Sequence, residues 1–397
     1  MRWGVASNGE KASRQFRLAK SCIGDAEKNA VLGVLDREFL GMGTDVQEFE
    51  ASLTEFFERP TACVINGTAA LHLALQACGI GRADEVLVPT LTFVASFQAI
   101  AATGATPVPC DIDPVTFTLD WEDARQRITP MTRAVMPVHY TGGVGDLDGI
   151  YAMADSAGLR VIEDAAHAFG TTVNGRRVGS FGDVTCFSFD GIKNITSGEG
   201  GCIVSDSDEV IDQVRRLRTL GLEEIRQADP LRGILARFDV REMGWRSHMS
   251  NLMAAIGIQQ LRRREEFASK RQALARAYDR QLEDLEMVVS IPKREQNWLW
   301  PLSALRLAIL CARSLTIDCD FYLNECSKSD ERVARGRFAD AARLILCHPR
   351  YRATSDDDFE ELEEELNAME AQWAAEARAR LKQKLDRVKS LRRRMGK

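Results

Sequence analysis

The segment FSFDGIKNITSGEGG, Phe187–Gly201, places one lysine, Lys193, between an apolar run and a cluster of glycines. Asp190 is the acid closest to it in sequence. A lysine after a buried strand is usually a surface residue, here one that pairs with Asp190. The alternative is a Schiff-base lysine, whose amine becomes nucleophilic through partial desolvation or nearby cations. Other motifs along the chain bear on which of these interpretations holds.

The motif IEDAAH, Ile162–His167, places an acid, Asp164, at the carboxyl end of an apolar run. A carboxylate buried there is costly unless it has a partner, and a structural ion pair is the common explanation. A pyridinium nitrogen would be a functional partner. A carboxylate beside that nitrogen keeps it protonated, so the ring can accept electrons, as pyridoxal phosphate requires of its protein.

Two further motifs offer groups for the rest of such a cofactor. NGTAALHLAL, Asn66–Leu75, predicts a strand, a Gly-Thr turn and a helix whose first N–H groups and a hydroxyl can hold phosphate. Alone this is a weak signal, since Thr is a common helix cap. Ser188 can add a hydroxyl. Phe93, in PTLTFVAS, can lie on a planar ring, although alone it is better explained as a core residue.

These groups together match the aldehyde, ring nitrogen, ring face and phosphate of pyridoxal 5'-phosphate, which we predict as the cofactor. The chain has no GxGxxG fingerprint and no GxxxxGK[ST] loop, so dinucleotide and P-loop sites are excluded.

The elements that must position these residues alternate between residues 60 and 205. Short apolar runs separated by helical patterns predict an α/β domain with a mostly parallel sheet. Ligands bind at the carboxyl ends of the strands in such sheets. Five segments follow the strands there: Asn66–Ala69, Thr90–Phe93, His139–Gly142, Glu163–His167 and Ser188–Lys193. Residues 206–280 have a helical pattern.

Composition restricts the remaining possibilities. A net charge of -6 gives no sign of a nucleic-acid partner. The ten cysteines show no CxxC pair, so we expect a reduced, cytoplasmic protein with no disulfides and no metal site. The N-terminus lacks the apolar core of a signal peptide. The apolar stretch Trp298–Ala312 is too short to span a membrane.

From Gly41 to Leu261 the sequence resembles the DegT/DnrJ/EryC1/StrS family of sugar aminotransferases. The resemblance rests on an ordered series of motifs: FEASLTEFF, NGTAALHLAL, DEVLVPTLTFVAS, GATPVPCDID, VIEDAAHAFG, VGSFGDVTCFSF, KNITSGEGG and GWRSHMSNLMAAIGIQQL. It implies fold type I, the aspartate aminotransferase-like architecture. In this chain the large domain, with a mostly parallel sheet, would comprise residues 1–260. A smaller C-terminal α+β domain would comprise residues 261–373. A charged helical tail, residues 374–397, would follow.

The resemblance also implies a role for each site residue. Lys193 would bind the cofactor aldehyde and move protons, and Asp164 would pair with the ring nitrogen. His167 would lie near the ring hydroxyl and Phe93 would stack on the ring. The phosphate would be held by Gly67, Thr68, Ala69 and Ser188. It would also be reached, across a dimer interface, by Arg246 and His248 of the neighbouring subunit.

The implied reaction is a ping-pong transfer of an amino group from an amino acid, usually L-glutamate, to a keto group of a nucleotide-linked deoxysugar. Such amino sugars enter surface polysaccharides or natural products. We expect a homodimer with a shared active site.

Three alternatives stay open at this point. A sugar dehydratase of the family would carry a histidine in place of Lys193. A non-catalytic or regulatory homologue is suggested because residues 291–331 lack the clear small-domain motif of the family. A cysteine desulfurase would need a reactive cysteine on a loop, for which Cys326 is a candidate.

Overall fold

A computed structural model describes residues 21–113, 115–226 and 237–282. Its strands are β1 Thr61–Val64, β2 Glu85–Pro89, β3 Thr106–Cys110, β4 Thr132–Val135, β5 Arg160–Asp164, β6 Thr172–Val173, β7 Arg176–Arg177, β8 Val184–Ser188, β9 Gly201–Ser205, β10 Leu222–Arg226 and β11 Arg237–Val240. Its helices are α1 Asp25–Asp36, α2 Thr44–Phe57, α3 Gly67–Ala77, α4 Val94–Ala102, α5 Trp121–Gln126, α6 Leu147–Ala157, α7 Asp208–Leu217, α8 Asn251–Arg262 and α9 Arg264–Leu282.

Seven strands form the main sheet in the order β1-β9-β8-β5-β4-β2-β3. β9 pairs antiparallel with both β1 and β8, and the pairs β8–β5, β5–β4, β4–β2 and β2–β3 are parallel. The predicted α/β fold with a mostly parallel sheet is therefore confirmed. The carboxyl ends of β1, β2, β4, β5 and β8 meet at one edge, because only β9 runs the other way.

Apolar side chains cover both faces of the sheet, which explains why its central strands have continuous apolar sequences. One core cluster includes Phe49 and Phe57 of α2 with Phe187 of β8. The other packs the apolar side of α3, including Leu71 and Leu75, onto the opposite face. The carboxyl edge of the sheet is thus held rigidly between two layers of helices.

The helical prediction for residues 206–280 is wrong in its middle part. Helix α7 ends at Leu217, and Leu220 and Gly221 adopt left-handed φ values of 68° and 71°. These values turn the chain out of the helix and into β10, which pairs antiparallel with β11. The pattern also misses a break at Arg263, which separates α8 from α9.

Much of the predicted C-terminal organisation lies outside the described residues. This applies to the predicted small domain beyond residue 282, the tail 374–397, the stretch Trp298–Ala312 and the candidate Cys326. No helix in the described ranges is long and apolar enough to cross a membrane.

Candidate active site

The connection from β1 to α3 leads into a helix N-terminus, which is suited to an anion. The Asn66 side chain caps α3 by accepting a hydrogen bond from the Ala69 N–H at 2.8 Å. A Cβ added to Gly67 would lie 2.7 Å from Cβ of Ser188, so only glycine allows this close approach. The first N–H groups of a helix have no acceptor within it and carry its positive dipole end. The structure thus brings the predicted phosphate residues Gly67, Thr68, Ala69 and Ser188 together.

Asp164 lies at the end of β5, and only 6% of its surface is exposed. The Ser96 hydroxyl donates to its Oδ2 at 2.7 Å, and the Ala166 N–H donates to its Oδ1 at 3.2 Å. Burial raises the pKa of Asp164, while these hydrogen bonds and the nearby positive charge of Lys193 oppose the rise. A buried carboxylate of this kind is suited to a cationic partner.

Lys193 follows β8 in a turn in which its N–H donates to the Asp190 carbonyl at 3.0 Å. The side chain is partly buried, and burial lowers the pKa of its amine. The negative charges of Asp190 and Asp164 act in the opposite direction. A lowered pKa increases the fraction of neutral amine, which is the nucleophilic form.

His167 lies close to Lys193 on the connection that follows β5. Its Nδ1 accepts a hydrogen bond from the Thr141 N–H at 3.4 Å, so the neutral ring carries its proton on Nε2. Burial first, and then the positive charge of Lys193, lower the pKa of His167 to about 4. His167 is therefore a neutral hydrogen-bonding group at physiological pH.

Phe93 occupies the residue immediately before α4 and is 72% exposed. The interpretation of Phe93 as a core residue is therefore wrong. A large aromatic ring so exposed at the carboxyl edge of the sheet has a free face for a planar partner.

Arg246 and His248 lie on the segment between β11 and α8, beside the end of β1. The Ile65 N–H donates to the Ser247 carbonyl at 2.8 Å, which places this segment next to the Asn66 cap. Arg246 is exposed. The buried Nδ1 of His248 has no hydrogen-bond partner among the described residues, and burial followed by the charge of Arg246 lowers the pKa of His248.

A buried polar network beneath the site was missed in the sequence. Nε2 of His139 and Oε2 of Glu163 are 2.6 Å apart, and the Tyr151 hydroxyl donates to Oε1 of Glu163 at 2.7 Å. His139 and Glu163 are fully buried. Successive side chains of a strand point to opposite faces. Glu163 therefore contacts His139 and Tyr151, whereas the adjacent Asp164 contacts Ser96. In the sequence, two adjacent acids at the end of one strand indicate that one of them faces away from the site and has its own buried partners.

Ser96 was also missed, because its partner Asp164 is 68 residues away in the sequence. The spacing of Phe93 and Ser96, one helical turn apart at the start of α4, was the only available hint.

The residues present fit pyridoxal phosphate. The turn Asn66–Ala69, here called the Gly67 cradle, packs closely against Ser188 because Gly67 carries no Cβ, and the helix N-terminus that it forms is suited to a phosphate. The buried Asp164 carboxylate suits a protonated ring nitrogen, and the Lys193 amine with its lowered pKa suits an aldehyde. The exposed ring of Phe93 suits a ring face.

Comparison with known proteins agrees with this geometry. Residues 21–326 match the DegT/DnrJ/EryC1/StrS aminotransferase family. The structure is similar to that of S. venezuelae DesV, with 35% identity over 70% of this chain and 72% of DesV, at a TM-score of 0.64. The sugar aminotransferase CalS13 from Micromonospora echinospora shows 33% identity over 72% of this chain and 78% of its own, at a TM-score of 0.65.

A third similar structure is the PLP form of Spr1654 from Streptococcus pneumoniae, which is described as a sugar aminotransferase by its similarity to others. It shows 28% identity over 68% of this chain and 72% of its own, at a TM-score of 0.63. These matches confirm the predicted fold type and enzyme class, a sugar aminotransferase that uses pyridoxal phosphate. The chain belongs to the DegT/DnrJ/EryC1/StrS aminotransferase family.

Proposed function

We propose that the protein transfers an amino group from L-glutamate to a keto group of a nucleotide-linked deoxysugar, for the synthesis of amino sugars of surface polysaccharides or natural products. The observation that carries this proposal is the placement of the Lys193 amine near both Asp164 and His167, at the sheet edge that also holds the Gly67 cradle. The nucleotide linkage and the donor are implied by the family resemblance.

Each residue has a distinct task in this proposal. Bound pyridoxal phosphate supplies an aldehyde and an electron-accepting ring. The Asp164 carboxylate would keep the ring nitrogen protonated, and the Ser96 hydroxyl fixes the orientation of that carboxylate. The Lys193 amine would hold the cofactor through its aldehyde and would serve as the acid and base that moves a proton at the substrate carbon. His167 would donate from Nε2 toward the ring hydroxyl, and Phe93 would cover one ring face and exclude water from it.

We further propose that the protein is a cytoplasmic homodimer whose subunits share active sites. The support is an exposed apolar surface formed by the hairpin β10–β11 and the segment after it, where Phe238, Val240 and Met243 are 53%, 64% and 75% exposed. Arg246 and His248 follow directly on that segment. In a dimer, they would reach the phosphate held by the partner subunit.

The test is the visible absorbance spectrum of the purified protein with pyridoxal phosphate, before and after excess L-glutamate. We expect a yellow band that bleaches on glutamate addition and returns when the correct nucleotide-linked keto sugar is supplied. Lys193→Ala should show neither the lysine-linked band nor turnover.

The other outcomes identify which part of the proposal fails. A band that ignores glutamate would indicate another amino donor or a regulatory protein. Full turnover by Lys193→Ala would refute the assignment of Lys193. A panel of keto sugars with and without the nucleotide then tests the nucleotide linkage.

A further inference from the structure

The loop that carries Lys193, residues Asp190–Gly200, joins β8 to β9 and is here called the lysine loop. Arg271, on the second turn of α9, binds two successive carbonyls of this loop. Its Nη2 donates to the Lys193 carbonyl at 3.0 Å, and its Nη1 donates to the Asn194 carbonyl at 2.7 Å. One planar guanidinium therefore fixes the main chain of Lys193 and of the next residue.

The Asn194 side chain extends this attachment to the segment that carries His167. Its Nδ2 donates to the Phe169 carbonyl at 2.9 Å and lies 3.5 Å from the His167 carbonyl. Asn194 is only 4% exposed. Lys193 and His167 therefore belong to two segments that are joined through Asn194, and Arg271 holds that junction from α9.

Other contacts hold neighbouring points of the lysine loop. The Ser21 hydroxyl donates to the Gly191 carbonyl at 2.5 Å. The Thr196 N–H donates to Oε1 of Gln260 at 3.4 Å. These contacts define where the loop lies, whereas the Arg271 contact is made to the carbonyl of Lys193 itself.

From these contacts we infer that Arg271 is a positioning residue, which holds the main chain of Lys193 so that its amine stays near Asp164 and His167. The inference rests on the proposed role of Lys193. Because α9 supplies this group, the lysine is oriented by a helix outside the sheet as well as by β8 and β9.

Different titratable groups surround the Lys193 amine and the Arg271 guanidinium. Asp190, Asp164 and His167 lie near the amine of Lys193. Cys22 lies near the guanidinium of Arg271. A cavity of about 250 Å³ beside Arg271 is also lined by Arg177, Arg264 and Glu265. Arg264 donates to the Leu261 carbonyl rather than to the lysine loop, so it offers a matched control on the same helix.

The experiment measures the titration of the Lys193 amine directly. Full-length protein without added cofactor is labelled with trace acetic anhydride across a pH series, and modification of Lys193 is read by mass spectrometry. Wild type should titrate below the ordinary lysine value of about 10.4. We expect Arg271→Met and Arg271→Gln to release the lysine loop toward solvent, because both lose the two carbonyl contacts. The midpoint should then rise toward that value, while Arg264→Met keeps the wild-type midpoint.

The result that overturns the inference is a wild-type midpoint in any folded Arg271 variant. Arg271→Lys keeps the charge and can bind only one carbonyl well, so it should raise the labelling midpoint of Lys193 by a smaller amount. This variant replaces the other two in the test if they do not fold. Protection of Lys193 from labelling by pyridoxal phosphate in wild type tests its proposed role separately. Loss of that protection would defeat the proposed function, whatever the midpoints show.

Discussion

Lys193 is close enough to both Asp164 and His167 for its protonation state to be linked to theirs. Burial raises the pKa of the acid and lowers the pKa of the two bases, and the mutual attraction of Asp164 and Lys193 limits both shifts. The positive charge of Lys193 also helps to keep His167 neutral. Lys193 and Asp164 therefore each help to keep the other charged, and His167 depends on Lys193 and on burial for its neutral form.

Asp164 and Glu163 are two buried acids on the same strand, so each serves as a control for the other. We expect Asp164→Asn to lower turnover by roughly 10²–10³-fold, since it would remove the charge that we propose for stabilising the ring nitrogen, with little change in melting temperature. Glu163→Gln should destabilise the protein by about 1–3 kcal/mol through its contacts with His139 and Tyr151, and affect turnover less. Steady-state kinetics and urea unfolding of both variants test this. The opposite pattern would make Asp164 structural.

His167 should make the protein less stable in acid. Its folded pKa of about 4 lies below the value near 6.5 of an unfolded histidine. The unfolded state therefore binds more protons between these values, and stability is lost as pH falls from about 6.5 toward 4. His167→Gln cannot titrate, so it should lose less free energy of unfolding than wild type between these pH values. Parallel losses in urea titrations would contradict the assignment.

The individual residues were predictable from sequence where a local pattern marked them. Lys193, Asp164 and Gly67 each follow an apolar run, and their types differ from their surroundings. Arg271 had no such signal, because it is one of many charged residues on a helix and its partner Asn194 is 77 residues away. Hydrogen bonds of this separation depend on how the elements pack.

Helix α3 shows how an element prepares a site before any ligand is present. Its first turn is fixed by the Asn66 cap and packed against Ser188. We expect Gly67→Ala to weaken pyridoxal phosphate binding by at least about tenfold, because the new Cβ must displace Ser188. Gly41→Ala, where no atom lies within 4 Å of the added Cβ, should bind normally. Equal affinities in a spectrophotometric titration would exclude this phosphate site.

The strands of the parallel region were predictable because they are buried on both faces and have continuous apolar sequences. Their order in the sheet, the reversal of β9 and the β10–β11 hairpin were not. Strand pairing is non-local, and the charged residues of β10 also fit a helical pattern. The location of the site at the carboxyl edge of the sheet could be predicted because ligands bind at the carboxyl ends of parallel strands. That rule applies whatever the order of the strands in the sheet.

At the scale of the whole molecule, the proposed dimer makes a quantitative prediction. Lys193→Ala and Arg246→Ala should each be defective alone. After subunit exchange of an equal mixture, half of the dimers are hybrids, and each hybrid has one intact site if Arg246 acts across the interface. Activity should then recover to about a quarter of the wild-type value. No recovery, with exchange verified by sedimentation of tagged subunits, would place Arg246 in its own subunit's site or outside any site.

The candidate site residues at the carboxyl edge of the sheet follow four strands, β1, β2, β5 and β8. These strands are far apart along the chain, so the residues come together only when the protein folds. A cofactor held by all of them, as we propose, would bind the folded state alone and would stabilise it by mass action, by about 2.7 kcal/mol at 100 times its dissociation constant. The vitamin status of the cell would then set the lifetime of this protein as well as its activity. A shortage of pyridoxal phosphate would expose the chain to proteolysis, so that the enzyme is removed when it cannot work.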